Sequence, residues 1–228
     1  MQDYVFTNSL KITDELYTTA DVIAEYSNNT LKAVNDLIRN YQTELKAFGK
    51  VEFSVLKSLN PKGGRPRKQW HLNENQATFL ITLLDNTPQV VAFKLELVKQ
   101  FSKQRRQLQH AQMLYQQGKT VSKSLGDAIK ENENSNPHDY ANYNRLIYKT
   151  ALGVSTVELK RSRHVGKHES LTQYLTAKES LAVQKVKNQV ITLLELKMGY
   201  GVIKSMVGRQ GIIYQVTLPA KQEVVSNA

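Results

Sequence analysis

The sequence predicts an α+β fold, helix-rich, with a single β-hairpin close to the N-terminus. Three observations lead there. Two short runs with apolar residues at helical spacing lie between residues 18 and 40, parted by the polar break Ser27-Asn28-Asn29. Strict alternation follows at Val51, Phe53 and Val55 and returns at 69–72, with a Gly/Pro-containing basic loop between. From Pro88 onward the pattern is helical almost to the end.

Each element has its own local reason. Thr18 and Thr19 can cap a first helix, and Asp21 in its first turn complements the positive end of the helix dipole. Ala20, Ile23 and Ala24 form its apolar face. Thr30 can cap a second helix in which Leu31, Val34, Leu37 and Ile38 share one side. A short helix, a tight turn and a second helix form a helix-turn-helix. The opposite side of the second helix carries Lys32, Asn35 and Arg39, with Thr30 at its start, and these side chains can reach phosphates and base edges.

The hairpin that follows reads as a wing, with Trp70 as its apolar anchor. Its connecting loop, residues 57–68, carries Lys57, Lys62, Arg65, Arg67 and Lys68 and no acid. Gly63 and Gly64 allow a close backbone approach, and Pro66 keeps the chain extended. Arg65 and Arg67 are then free to enter a narrow minor groove, while Lys62 and Lys68 meet phosphate. Gly64-Arg65-Pro66 resembles the core of AT-hook motifs.

Asn73 and Gln76 have capping-box spacing ahead of Ala77, Leu80, Ile81 and Leu84. Pro88 suits the first turn of the next helix, which carries Val90, Val91, Phe93, Leu97, Val98 and Phe101 and extends into the polar run 102–117. Leu97, Phe101, Leu108 and Tyr115 trace a faint heptad, which leaves open an exposed connecting helix or a dimerising coiled coil. Residues 122–136 read as a polar linker. Beyond it Tyr140, Tyr143, Leu146 and Ile147 form a helical stripe ending near Gly153. Ser155 with Glu158, and Thr176 with Glu179, have capping-box spacing. Val183, Val186, Val190, Leu193 and Leu194 mark a long helix stopping near Gly199. Val202, Ile203 and Met206 mark a short one, and 212–216 a final strand. Lys160, Arg161, Arg163 and Lys167, with His164 and His168, form a second basic cluster expected in a loop.

The expected architecture is therefore an N-terminal winged helix-turn-helix over residues 1–101, a long connecting helix and polar linker over 102–136, and a mainly α-helical C-terminal domain over 137–228.

Composition narrows the function. Hydrophobic residues make up 40% and charged residues 22%, enough to bury a core. The chain has no cysteine, which excludes disulfides, thiolate metal sites and cysteine nucleophiles. It carries 31 basic and 20 acidic residues, a net charge of +11, which suits a polyanionic partner. No basic, apolar leader or membrane-spanning run is evident, so a cytoplasmic protein with no membrane association is expected. No phosphate loop, metalloprotease motif or carboxylate cluster is present, so no enzyme, cofactor or metal is expected. His164 and His168 lack a carboxylate partner nearby.

Several blocks together resemble a known family. They are Tyr17-Thr18-Thr19-Ala20-Asp21-Val22-Ile23-Ala24, Leu37-Ile38-Arg39, Gly64-Arg65-Pro66, Leu72-Asn73-Glu74-Asn75-Gln76-Ala77 and Asn86-Thr87-Pro88-Gln89-Val90-Val91-Ala92-Phe93-Lys94. In this order and spacing they resemble the Rha-type phage regulatory proteins over roughly residues 16–101. The resemblance implies a regulatory role in temperate phages and prophages, hence a bacterial host cell. Such proteins often carry a His and an Asn near the start of the second helix, where this chain has Leu31 and Ala33; Lys32 and Asn35, or the wing, would have to substitute. Residues 140–206 resemble C-terminal regions of some phage antirepressor-like regulators. The expected partner is double-stranded DNA. The alternative is an antirepressor capturing a phage or host repressor protein, and a homodimer is a further expectation.

Overall fold

The computed structural model describes residues 2–57, 66–133, 136 and 138–218. It contains two compact units, Met1–Asn8 with Asp14–Gln107, and Ser9–Thr13 with Leu108–Ala228. The segment 102–136 is thus divided between them.

Unit 1 is a helix-rich body around a three-stranded antiparallel sheet. Strand β1 (Tyr17–Thr19) leads straight into α1 (Ala20–Tyr26), followed by α2 (Leu31–Asn40) and a short α3 (Gln42–Lys46). Strands β2 (Glu52–Leu56) and β3 (Arg67–Asn73) follow, and β3 passes directly into α4 (Glu74–Thr82). The strand order is β1-β3-β2. β3 is central: Arg67 to His71 pair with β2, and His71 to Asn73 pair with β1. β1 was not expected from the sequence, because its two threonines read as helix caps. Thr19 does cap α1, accepting from Val22 N, while also belonging to the strand.

The core of unit 1 collects Ile23, Val34, Ile38, Leu45, Leu72 and Leu80. Val90, Phe93, Leu97 and Phe101 reach it from α5 (Pro88–Glu131), a helix of 44 residues. Leu97 and Phe101 are each 1% exposed. Both pack within this unit, so they are not available to a coiled-coil seam.

α5 does not stop where the sequence predicts a linker. Residues 122–131 are helical, and Leu125, Ala128 and Ile129 enter the core of unit 2. Buried positions three and four apart settle the helix, although polar residues surround them.

Unit 2 is built from the rest of α5 with α6 (Asp139–Leu152), α7 (Thr156–Ser162), a 3₁₀ turn Leu171–Tyr174, α8 (Ala177–Glu195) and α9 (Tyr200–Gly208). Both predicted capping boxes are formed, at Ser155 with Glu158 and at Thr176 with Glu179. Tyr143 and Ile147 are core, but Tyr140 from the same stripe is 47% exposed. α8 ends before Gly199. Lys197 takes the left-handed conformation, φ 57°, and the N–H groups of Lys197 and Met198 close the last turn. The buried Asn132 amide donates to the carbonyls of Leu194 and Met198 at the same end. Gly199 instead precedes α9 as its N-cap.

The expected final strand is a helix cap. Ile213, Tyr214 and Val216 donate backbone N–H groups to the carbonyls of Thr150, Ala151 and Leu152. Those carbonyls end α6 and have no intrahelical donor. Gly153 makes this possible with φ 74°, and a Cβ there would lie 2.5 Å from the Gln215 side chain.

Arg163 also departs from expectation. It is no part of an exposed basic patch. Its guanidinium meets Glu179 across 2.5 and 2.8 Å, and the two side chains are 8% and 5% exposed. Arg163 also donates to the Tyr174 carbonyl. Sequence could not foresee this, since the partner lies 16 residues away and burial is a tertiary property.

Burial alone would raise the Glu179 carboxyl; the Arg163 guanidinium and the Thr176 N–H more than reverse this and hold it below the usual value. Glu169 is held down to about 2 by hydrogen bonds from Lys11, Tyr174 and the Gly166 N–H. Both are depressed carboxylates, so their stabilisation is present above the unfolded value of about 4.3 and is lost as pH falls through the folded ones. Thermal melts should therefore show unit 2 losing stability between about pH 4 and the value near 2 that Glu169 takes. Glu179→Gln, which leaves a buried guanidinium without its counter-charge, should cost about 3 kcal/mol or more in urea unfolding. A decrease well below that would mean the pair is solvated.

Candidate nucleic-acid interface

The α1–α2 corner is fixed by local hydrogen bonds. Ser27 Oγ donates to the Ile23 carbonyl, the Asn29 amide reaches back to Ser27, and Asn28 is left-handed with φ 54°. Asn tolerates that conformation better than most residues. Thr30 caps α2, its Oγ1 accepting from Ala33 N at 3.1 Å. The predicted turn and cap are therefore present, and the Thr30 hydroxyl oxygen is engaged in holding the helix.

Val34 and Ile38 are wholly buried on one side of α2. Lys32, Asn35 and Arg39, at i, i+3 and i+7, share the other. Lys32 and Arg39 are exposed, and Asn35 is half-buried. Arg39 pairs with Asp36 at 3.0 Å, but both side chains are well exposed. Such a pair is worth at most about 1 kcal/mol and weakens with salt, so it leaves Arg39 able to exchange partners. Asn35 Oδ1 is buried and has no hydrogen-bond partner among the described residues.

Arg67 and Lys68 open β3 and point to opposite faces of the sheet. Arg67 reaches Asp21 in the first turn of α1 at 2.5 Å. This bond raises its pKa and anchors the base of the hairpin to α1. Lys68 lies over the Phe53 ring, 4.1 Å from its centroid, and 5.6 Å from Trp70. Phe53 and Val55 are exposed rather than core, so with Lys68 and Trp70 they make a mixed apolar and cationic face. Pro66 is exposed. Lys62, Gly64 and Arg65 lie outside the described residues. The structure thus gathers Lys32, Asn35 and Arg39 on one helix face but does not bring Arg67 and Lys68 together.

In unit 2, Lys160 and Arg161 belong to the last turn of α7, not to a loop. Lys160 and Lys167 are exposed. Among the described residues no three His, Asp or Glu side chains group to hold a metal ion. No helix among them is long and apolar enough to cross a membrane.

Unit 1 is thus a small mixed helix-and-sheet body with a polar, cationic helix face. The family model of the phage regulatory protein Rha matches residues 18–106 of this chain. The N-terminal part is accordingly similar to that family, over a stretch running from β1 into α5. A search of curated proteins found no match.

The Asp21–Arg67 pair is open to direct measurement. A double-mutant cycle of Asp21→Ala with Arg67→Ala in urea should return a coupling of about 0.2–1 kcal/mol, as for other exposed pairs. Zero coupling would release Arg67 from its anchoring role.

Proposed function

We propose that this chain is a non-enzymatic phage or prophage regulator acting in the cytoplasm of a bacterial host, and that unit 1 is a winged helix-turn-helix that binds double-stranded DNA. The observation that carries the reading is the outward face of α2. Lys32, Asn35 and Arg39 stand in register on a helix that a capped corner sets after α1. In the major groove, Lys32 and Arg39 meet phosphates and the half-buried Asn35 turns its amide NH2 group to a base edge. The basic connection between β2 and β3 acts as the wing. Arg65 enters the minor groove, Lys62 and Lys68 contact phosphate, and Arg67 braces the wing from its base. The similarity of residues 18–106 to a phage regulatory family supports the regulatory part. The net charge of +11 supports a polyanionic partner.

Fluorescence anisotropy tests this with duplex DNA from the region upstream of the gene and a scrambled duplex, at low and near-physiological salt. Selective binding that survives the higher salt is expected. Lys32→Ala with Arg39→Ala should weaken it and flatten the salt dependence by roughly 0.9 in slope for each phosphate no longer neutralised. Equal binding to both duplexes that disappears with salt would sink the reading. It would favour the alternative, an antirepressor that captures a repressor protein through unit 2.

A further inference from the structure

Unit 2 contains an open cavity of about 670 Å³, walled by α5, α6, α7, α8 and the 3₁₀ turn. That volume falls within the range of small-molecule sites, about 300–1,000 Å³. Four cations line it, Lys119, Arg145, Lys160 and Lys187, and no carboxylate does. None of the four makes an ion pair among the described residues.

Lys187 is the most telling of them. Its side chain is buried, 5% exposed, and its ammonium donates to Ser122 Oγ at 2.7 Å. A neutral hydroxyl does not offset the cost of removing an ammonium from water. The same unit does counter a buried cation where structure alone is at stake, since Arg163 has the Glu179 carboxylate. Leaving four cations around one cavity without an acid keeps a positive potential there for an incoming anion.

The walls also carry rings. Tyr115, Tyr140 and Tyr148 line the cavity, with the Lys119 ammonium 4.6 Å from the Tyr115 ring centroid. Asn144 adds an amide that can pair with a polar ring edge.

We propose that this cavity is a binding site for a nucleoside phosphate, with the lysines and Arg145 holding the phosphates and the tyrosines stacking the base. The site is independent of the DNA reading of unit 1. It gives unit 2 a ligand of its own. Burial lowers the pKa of Lys187, and a phosphate arriving beside it would favour its charged form.

Calorimetric titration of the full chain with the four ribonucleoside triphosphates, AMP and adenosine, at constant ionic strength, tests the site. At least one nucleoside phosphate should bind saturably, one per chain, and adenosine about tenfold or more weaker, since charge-assisted bonds are the strong ones. Arg145→Gln and Lys187→Met should each weaken binding by about tenfold or more. Lys32→Ala with Arg39→Ala should leave it unchanged. Arg145 is exposed, so its variant keeps the test valid if the Lys187 variant folds poorly. Absence of saturable binding by every nucleoside phosphate would overturn the proposal. So would unchanged affinity in the Arg145 variant, or an equal weakening in the α2 variant.

Discussion

The carboxamide of Gln76 is buried where β3 turns into α4, and it ties three stretches of unit 1 together. Its oxygen accepts from Asn73 N, while its amide nitrogen donates to the carbonyls of Leu45 and Gly49. In return Asn73 Oδ1 accepts from Gln76 N, and Asn73 Nδ2 donates to the Phe48 carbonyl. One capping box therefore starts α4, ends β3 and holds the link from α3 into β2. Gly49, with φ 119°, supplies the backbone that only glycine adopts cheaply. Because β3 is the central strand, everything paired to it inherits that position. This includes β1 and, through it, the start of α1 and the corner before α2. A polar side chain with 1% exposure is costly unless fully used. Here its complete use makes the joint specific.

Unit 2 handles charge in two opposite ways. The Arg163–Glu179 pair is closed: both ions are buried, both face each other, and the surrounding carbonyl and N–H complete their bonds. It fastens the end of α7 to the start of α8. The cavity cations are open, with a hydroxyl, a ring or solvent where an acid would be. Stability alone explains the first arrangement. It does not explain Lys187 in the second, because unpaired buried charge works against folding.

Caps were legible in the sequence, and for a local reason. Thr19, Thr30, Asn73, Ser155 and Thr176 each bond within three residues, so spacing alone identifies them. The polar face of α2 was legible too, since helical period assigns Lys32, Asn35 and Arg39 to one side. What failed was long-range. Residues 122–131 look like a linker because only Leu125, Ala128 and Ile129 face the core, and a long helix with one narrow buried stripe has a linker's composition. Residues 212–216 have the apolar composition of a strand, but their hydrogen bonds go to a helix end. Phe53 and Val55 alternate as a core-facing strand should, yet the hairpin carries them past the body they would pack on. The cavity had no signature, because its residues come from five separate elements.

The +11 charge is best understood through where the cations sit, not their number. On α2 the cations are exposed, and water and salt screen them within about 8 Å at physiological ionic strength. Attraction there depends strongly on ionic strength, as suits a surface that must leave one phosphate for the next. Lys187 is removed from water, so its field is screened far less and acts over the short range of a cavity wall. Arg67 and Arg163 belong to neither group, because each has its carboxylate and serves to join two elements. Equal formal charges thus divide into braces, a salt-sensitive surface and the cations of an open cavity, of which Lys187 is buried. The division follows from burial and partner, which place the acids at Asp21 and Glu179 and withhold them from the cavity.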